Sequence, residues 1–151
     1  MEGLNRLQVY QKAQELAKVI YKQILPKMPI EEKYNLSSQI RRAASSIPAN
    51  IAEGFGRYYY QETIRFCYLA RGSLMELSSH IDLAFGEGYL PDQEKKQIDS
   101  IMDDVLRLIH GYINYLKKIK RGMNEPGANS ISEPEPLYFD EDLPDDDAQS
   151  S

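Results

Sequence analysis

The chain has 151 residues with 18 Lys and Arg, 23 Asp and Glu, one cysteine and no tryptophan, which gives room for a single domain with an adequate core. A lone cysteine excludes an internal disulfide framework. No stretch approaches the roughly 20 apolar residues of a membrane span, and none resembles a secretory leader, so a cytoplasmic protein is expected. The net charge of -5 conceals a division: residues 1–122 hold all 18 basic side chains against 14 acidic ones, a net +4, whereas residues 123–151 hold nine acids and no base. A mildly basic body can attract polyanions while its own tail competes for the same surface.

From Leu7 to Leu25, Val9, Ala13, Leu16, Ile20 and Ile24 recur at spacings of three and four, with Tyr10, Ala17 and Tyr21 widening the stripe. This is the signature of an amphipathic helix, and Pro26 and Pro29 should end it. A second helix is expected to begin between Asn35 and Ser38, carry Leu36, Ile40, Ala43, Ala44, Ile47 and Ile51 inward, and end at Gly54 and Gly56. Pro48 lies inside it among small residues, which predicts close approach by a neighbour and a kink where the Ala44 carbonyl loses its donor.

The third predicted helix runs from about Tyr60 to Phe85, with Ile64, Cys67, Ala70, Leu74, Leu77, Ile81 and Ala84 inward, and stops in Gly86-Glu87-Gly88. The fourth follows Pro91-Asp92 and runs to Gly122, marked by Ile98, Ile101, Met102, Val105, Leu108, Ile109, Tyr112, Leu116 and Ile119. Four amphipathic helices on short loops can hide their stripes only against one another. The expected fold is therefore all-α, an antiparallel up-down-up-down four-helix bundle over residues 1–122. Residues 123–151, with four prolines, nine acids and one short apolar cluster, Leu137-Tyr138-Phe139, are expected to form a disordered acidic tail in which that cluster offers a short docking motif.

The run Gln39-Ile40-Arg41-Arg42-Ala43-Ala44-Ser45-Ser46-Ile47-Pro48-Ala49-Asn50-Ile51-Ala52-Glu53-Gly54, with Ala70-Arg71-Gly72-Ser73-Leu74-Met75-Glu76-Leu77 after it, resembles the four-helix-bundle proteins encoded in 23S ribosomal RNA intervening sequences. Leu7-Gln8-Val9-Tyr10-Gln11-Lys12-Ala13 and Gly88-Tyr89-Leu90 fit the same pattern, so the likeness spans about residues 4–120. The resemblance implies a bacterial protein, a barrel-like homopentamer and no established enzymatic activity. A more distant likeness, to the accessory variability protein of diversity-generating retroelements, implies binding to nucleic acid and to a reverse transcriptase.

Three constellations invite chemistry. Arg42, Ser46, Asn50 and Glu53 share one side of the second helix, and Ser73, Glu76 and His80 share one side of the third. Facing each other, they would make either a pocket with a carboxylate base or, as we favour, a structural polar network of Ser46, Asn50, Glu53, Ser73 and Glu76, with Asn50 capping groups freed by Pro48. No catalytic residue is assigned, because no nucleophile stands beside a convincing base. The two histidines lack the Glu-x-x-His spacing of di-iron bundles, Cys67 reads as core filler, and Gly54-Phe55-Gly56-Arg57 lacks the phosphate-loop signature, so no metal and no cofactor is expected.

The third constellation is basic and aromatic. Arg41, Arg42, Arg57, Tyr58, Tyr59, Arg65 and Arg71 gather in sequence around the turn between the second and third helices, pairing phosphate donors with rings that stack on bases. RNA or DNA is the expected partner of a non-enzymatic homo-oligomer. The alternative is an interaction scaffold that docks a basic protein, such as a reverse transcriptase, through its rim or acidic tail.

Overall fold

The computed structural model describes residues 1–120; the boundary expected at 122 and the acidic segment 123–151 lie outside the described residues. Its elements are a short α1 (Glu2–Asn5), α2 (Gln8–Val19), α3 (Leu36–Phe55), α4 (Tyr60–Gly86) and α5 (Asp92–Ile119), with no strand among the described residues. α1 carries too few apolar residues to show a period, and its single buried side chain is Leu4.

The first predicted helix is real but changes its winding. After α2 the chain passes through a π-turn at Ile20–Ile24 and a 3-10 turn at Leu25–Lys27. The widening falls immediately ahead of Pro26, which brings no N–H, and the Leu25 N–H reaches back to the Ile20 carbonyl. The rod keeps its inward stripe throughout, with Val9, Ala13, Leu16, Ile20 and Ile24 all buried, while Tyr21 turns out to solvent.

α3 starts where a carboxylate stands in for a missing helical partner: Glu32 accepts a hydrogen bond from the Leu36 N–H at 3.1 Å. It then runs unbroken through Pro48. Proline costs about 3 kcal/mol in an exposed helix interior, but Pro48 is buried among small residues. The Asn50 side-chain amide donates to the Ser46 carbonyl at 2.9 Å. That is a neighbouring carbonyl rather than the one at Ala44 that Pro48 deprives of its donor.

α4 ends at a left-handed glycine, Gly88 at φ 80°, and the Tyr89 N–H returns to the Ala84 carbonyl at 3.0 Å. Glycine meets this backbone geometry without strain. α5 buries Ile98, Ile101, Met102, Val105, Ile109, Ile113 and Leu116. Leu108 and Tyr112, expected inward, are half-buried at the edge of the stripe, and Ile119 is 45% exposed at the end of the helix.

Side-chain contacts fix the directions. Arg42 pairs with Glu76, and Ser46, one turn further along α3, meets Ser73, about one turn earlier on α4. Arg71 meets His110, and further along α4 Asp82 meets Lys95, nearer the start of α5. Lys27 pairs with Glu94 across the far end. Successive helices therefore run antiparallel, α2 lying against α3 and α5, and α4 against α3 and α5. The core is one continuous cluster between them.

Two glycines separate packing from propensity. A Cβ at Gly54 would stand 2.7 Å from Phe66 Cβ and 3.2 Å from the Thr63 carbonyl oxygen, whereas one at Gly72 meets nothing within 4 Å. Gly54→Ala should therefore destabilise the bundle by about 1–3 kcal/mol through overpacking. Gly72→Ala should stabilise it by roughly 0.5–1 kcal/mol through helix propensity. Urea midpoints of the two variants check both signs.

Candidate nucleic-acid interface

The polar residues between α3 and α4 divide into an inner and an outer set. Ser46 Oγ and Ser73 Oγ share a hydrogen bond of 2.8 Å, and Asn50 Nδ2 donates to Ser46 Oγ at 3.0 Å. These three half-buried groups clasp the two helices. Glu53 and Glu76 lie outside the clasp and are exposed. Glu53 pairs with Arg57 at 3.3 Å, and Glu76 with Arg42 at 3.6 Å and His80 at 3.3 Å. A hydroxyl pair with an amide beside it contains no basic group to take a proton, so the clasp can hold helices but cannot activate an attack.

Cys67 is buried, and burial pushes its thiol up from 9.0 to about 12. The thiolate is the reactive form, so this sulfur is inert in the folded protein. Among the described residues no three His, Cys, Asp or Glu side chains converge in a way that would hold a metal ion, and no helix is long and apolar enough to cross a membrane.

The fold divides the seven basic and aromatic residues that sequence places together: Arg57, Tyr58, Tyr59 and Arg65 stay near the α3–α4 turn, and Arg41, Arg42 and Arg71 lie elsewhere. Arg41 and Arg42 are exposed on α3. Arg57 lies fifteen residues beyond Arg42, about 22 Å away at 1.5 Å per residue. Arg57, Tyr58 and Arg65 are exposed at the α3–α4 turn and the opening of α4, and Tyr59 is half-buried. The rings of Tyr58 and Tyr59 meet edge to face at 5.3 Å, and the Arg57 guanidinium lies over Phe66 at 5.1 Å.

Arg71 departs from the expected patch. It is only 5% exposed, and its guanidinium lies over the Tyr68 ring at 4.7 Å. Nη1 stands 3.0 Å from His110 Nε2; because a guanidinium only donates, that ring nitrogen is the acceptor. The position lies four residues after Cys67 and three before Leu74, on the inward stripe of α4, and a surface phosphate contact is not open to it within one chain.

Other cations lie toward one end of the bundle. The antiparallel order returns the start of α2, the end of α3, the start of α4 and the end of α5 to the same end of the bundle. Arg6, Arg57, Arg65, Lys117, Lys118 and Lys120 gather toward that end by topology. Arg6 pairs with Glu2 at 3.8 Å and Arg57 with Glu53 at 3.3 Å, both on open surface. Exposed pairs of this kind contribute about 0–1 kcal/mol.

The family model described as 23S rRNA-intervening sequence protein matches residues 5–111. Among solved structures, a protein with unknown function from the S23 ribosomal protein family of Bacteroides thetaiotaomicron is similar with a TM-score of 0.64 and 24% identity, over 70% of this chain and 97% of that one. At this identity the likeness speaks to the fold. No curated protein matches the chain.

Because the folded thiol holds its proton to about 12 and an unfolded one releases it near 9.0, the buried neutral thiol contributes stability that is complete below pH 9.0 and is lost as pH rises toward 12. Wild type should therefore lose about 1.4 kcal/mol per pH unit more than Cys67→Ala in that window. Paired urea titrations measure the difference, and parallel slopes contradict it.

Proposed function

The chain belongs to the 23S rRNA-intervening sequence protein family, and from that premise we propose that it is a non-enzymatic, homo-oligomeric, cytoplasmic protein that associates with RNA through the basic end of its bundle. The observation that carries the reading is that the helix order brings Arg6, Arg57, Arg65, the last-turn lysines of α5 and the exposed Tyr58 toward one end of the bundle. Arginine and lysine neutralise phosphate and release counterions, and an exposed tyrosine stacks on an unpaired base. Arg41 and Arg42 supply a second phosphate-binding position about 22 Å along α3, suited to a strand that runs the length of the helix.

The homo-oligomer is supported by the outward face of α4. Arg65, Leu69, Gly72, Glu76 and Leu83 fall on one helical stripe, and Leu69 and Leu83 are 50% and 54% exposed. In this reading Leu69 and Leu83 are the apolar positions at which subunits meet. Five copies, the number that the family resemblance implies, would repeat a modest cationic end around a ring and raise avidity well above the affinity of one subunit.

A labelled single-stranded RNA titrated at several salt concentrations tests the reading. Log K should fall linearly with log salt, and Arg57→Gln with Arg65→Gln should flatten the slope by about one for each phosphate that is no longer neutralised. Tyr58→Ala should weaken binding by about 1–3 kcal/mol with little change of slope. A flat salt dependence, or arginine variants that bind like wild type, contradicts the proposal.

A further inference from the structure

The apolar surface left between the start of α2 and the end of α5 is a groove of about 530 Å³, within the range of about 300–1,000 Å³ typical of ligand clefts. Leu7, Val9, Leu108, Tyr112 and Tyr115 line it, and Arg6 and Arg107 stand at its rim. The rim guanidiniums are 82% and 74% exposed, and their present partners, Glu2 at 3.8 Å and Asp104 at 2.7 Å, are close neighbours in sequence. Tyr115 is 56% exposed. An apolar floor with two cationic rims calls for a short aromatic segment with acids on either side.

The chain itself contains such a segment. Leu137-Tyr138-Phe139 is preceded by Glu133 and Glu135 and followed by Asp140, Glu141 and Asp142, and it is the aromatic cluster of residues 123–151. The described residues stop at Lys120, at the end of the helix that forms one wall of the groove. Leu108 lies twelve residues back along α5, about 18 Å. The seventeen residues from Lys120 to Leu137 span up to about 56–61 Å when extended, so the connection reaches the groove without difficulty.

We infer that Leu137-Tyr138-Phe139 docks in the α2–α5 groove of its own chain, with the flanking carboxylates against Arg6 and Arg107. The apolar contacts hold the segment and the acids set its direction. Tethering makes the encounter intramolecular, which allows a three-residue anchor to compete with soluble partners. The inference concerns the groove and the tail alone and does not rest on RNA binding.

Photo-cross-linking of the full chain tests it. With p-benzoylphenylalanine in place of Phe139, irradiation should join the probe to peptides containing residues 6–9 and 107–115 of the same chain. Leu108→Glu should lose most of that product. Arg6→Glu with Arg107→Glu, which alters exposed positions alone and spares the core, should lose most of it as well. Mixing isotopically heavy and light copies identifies links between chains. Cross-links scattered over the bundle, links that join heavy to light copies, no link at all, or an undiminished yield in the rim variant would each overturn the inference.

Discussion

A side chain at position 54 has nowhere to go: its Cβ would press on Phe66 at 2.7 Å, and this contact sits at one end of a seam along which α3 and α4 nearly touch. Ala43, Ser46 and Ile47 on one helix, and Cys67, Ala70, Ser73 and Leu74 on the other, keep the seam narrow and, apart from the two half-buried serines, buried. The Ser46–Ser73 hydrogen bond and the Asn50 amide supply direction where dispersion alone would permit sliding. Small residues allow backbones to approach, and a satisfied polar clasp fixes their register. Pro48 is buried as well, but two residues from both Ser46 and Asn50 it lies on the other side of α3, away from this seam.

Register along the seam determines what the surface presents. With α3 and α4 locked, the turn between them must project Arg57 and Tyr58 from the end where α2 begins and α5 finishes. The cations of Lys117 and Lys118 suit the negative end of the α5 dipole and also lie toward that turn. One arrangement thus serves both stability and electrostatics. The acids paired with Arg6 and Arg57 soften the field without cancelling it, because exposed ion pairs exchange partners at little cost.

Much of the architecture is legible in the sequence because burial here follows helical spacing closely. Every residue placed inward on the second and third predicted helices is buried, and the breaks that bound those two helices fall within a residue or two of the observed ends, whereas α5 ends at Ile119, three residues short of Gly122. The departures have physical causes. Charge alone groups Arg71 with the surface arginines, although its place between Cys67 and Leu74 on the buried stripe assigns it to the interior. Ile113 follows Ile109 by four residues and precedes Leu116 by three, a stronger inward signal than that of Ile119, the last residue of α5. Arg41 and Arg42 are near Arg57 in sequence, but helical rise carries them about 22 Å away. The groove between α2 and α5 is not legible, since it depends on which non-consecutive helices become neighbours and at what height. The π-turn ahead of Pro26 is likewise outside the reach of a 3.6-residue pattern.

Cations toward one end and leucines left open along α4 motivate the proposal that the chain is an assembly that carries nucleic acid. Size-exclusion chromatography with light scattering, absorbance being read at 260 and 280 nm across the same peak, addresses both parts at once. Purified at low salt, the protein should elute at a multiple of its 17.4 kDa chain mass, with excess absorbance at 260 nm that high salt removes while the assembly persists. A peak at the mass of a single chain, with no nucleic-acid absorbance at any salt concentration, would contradict the account.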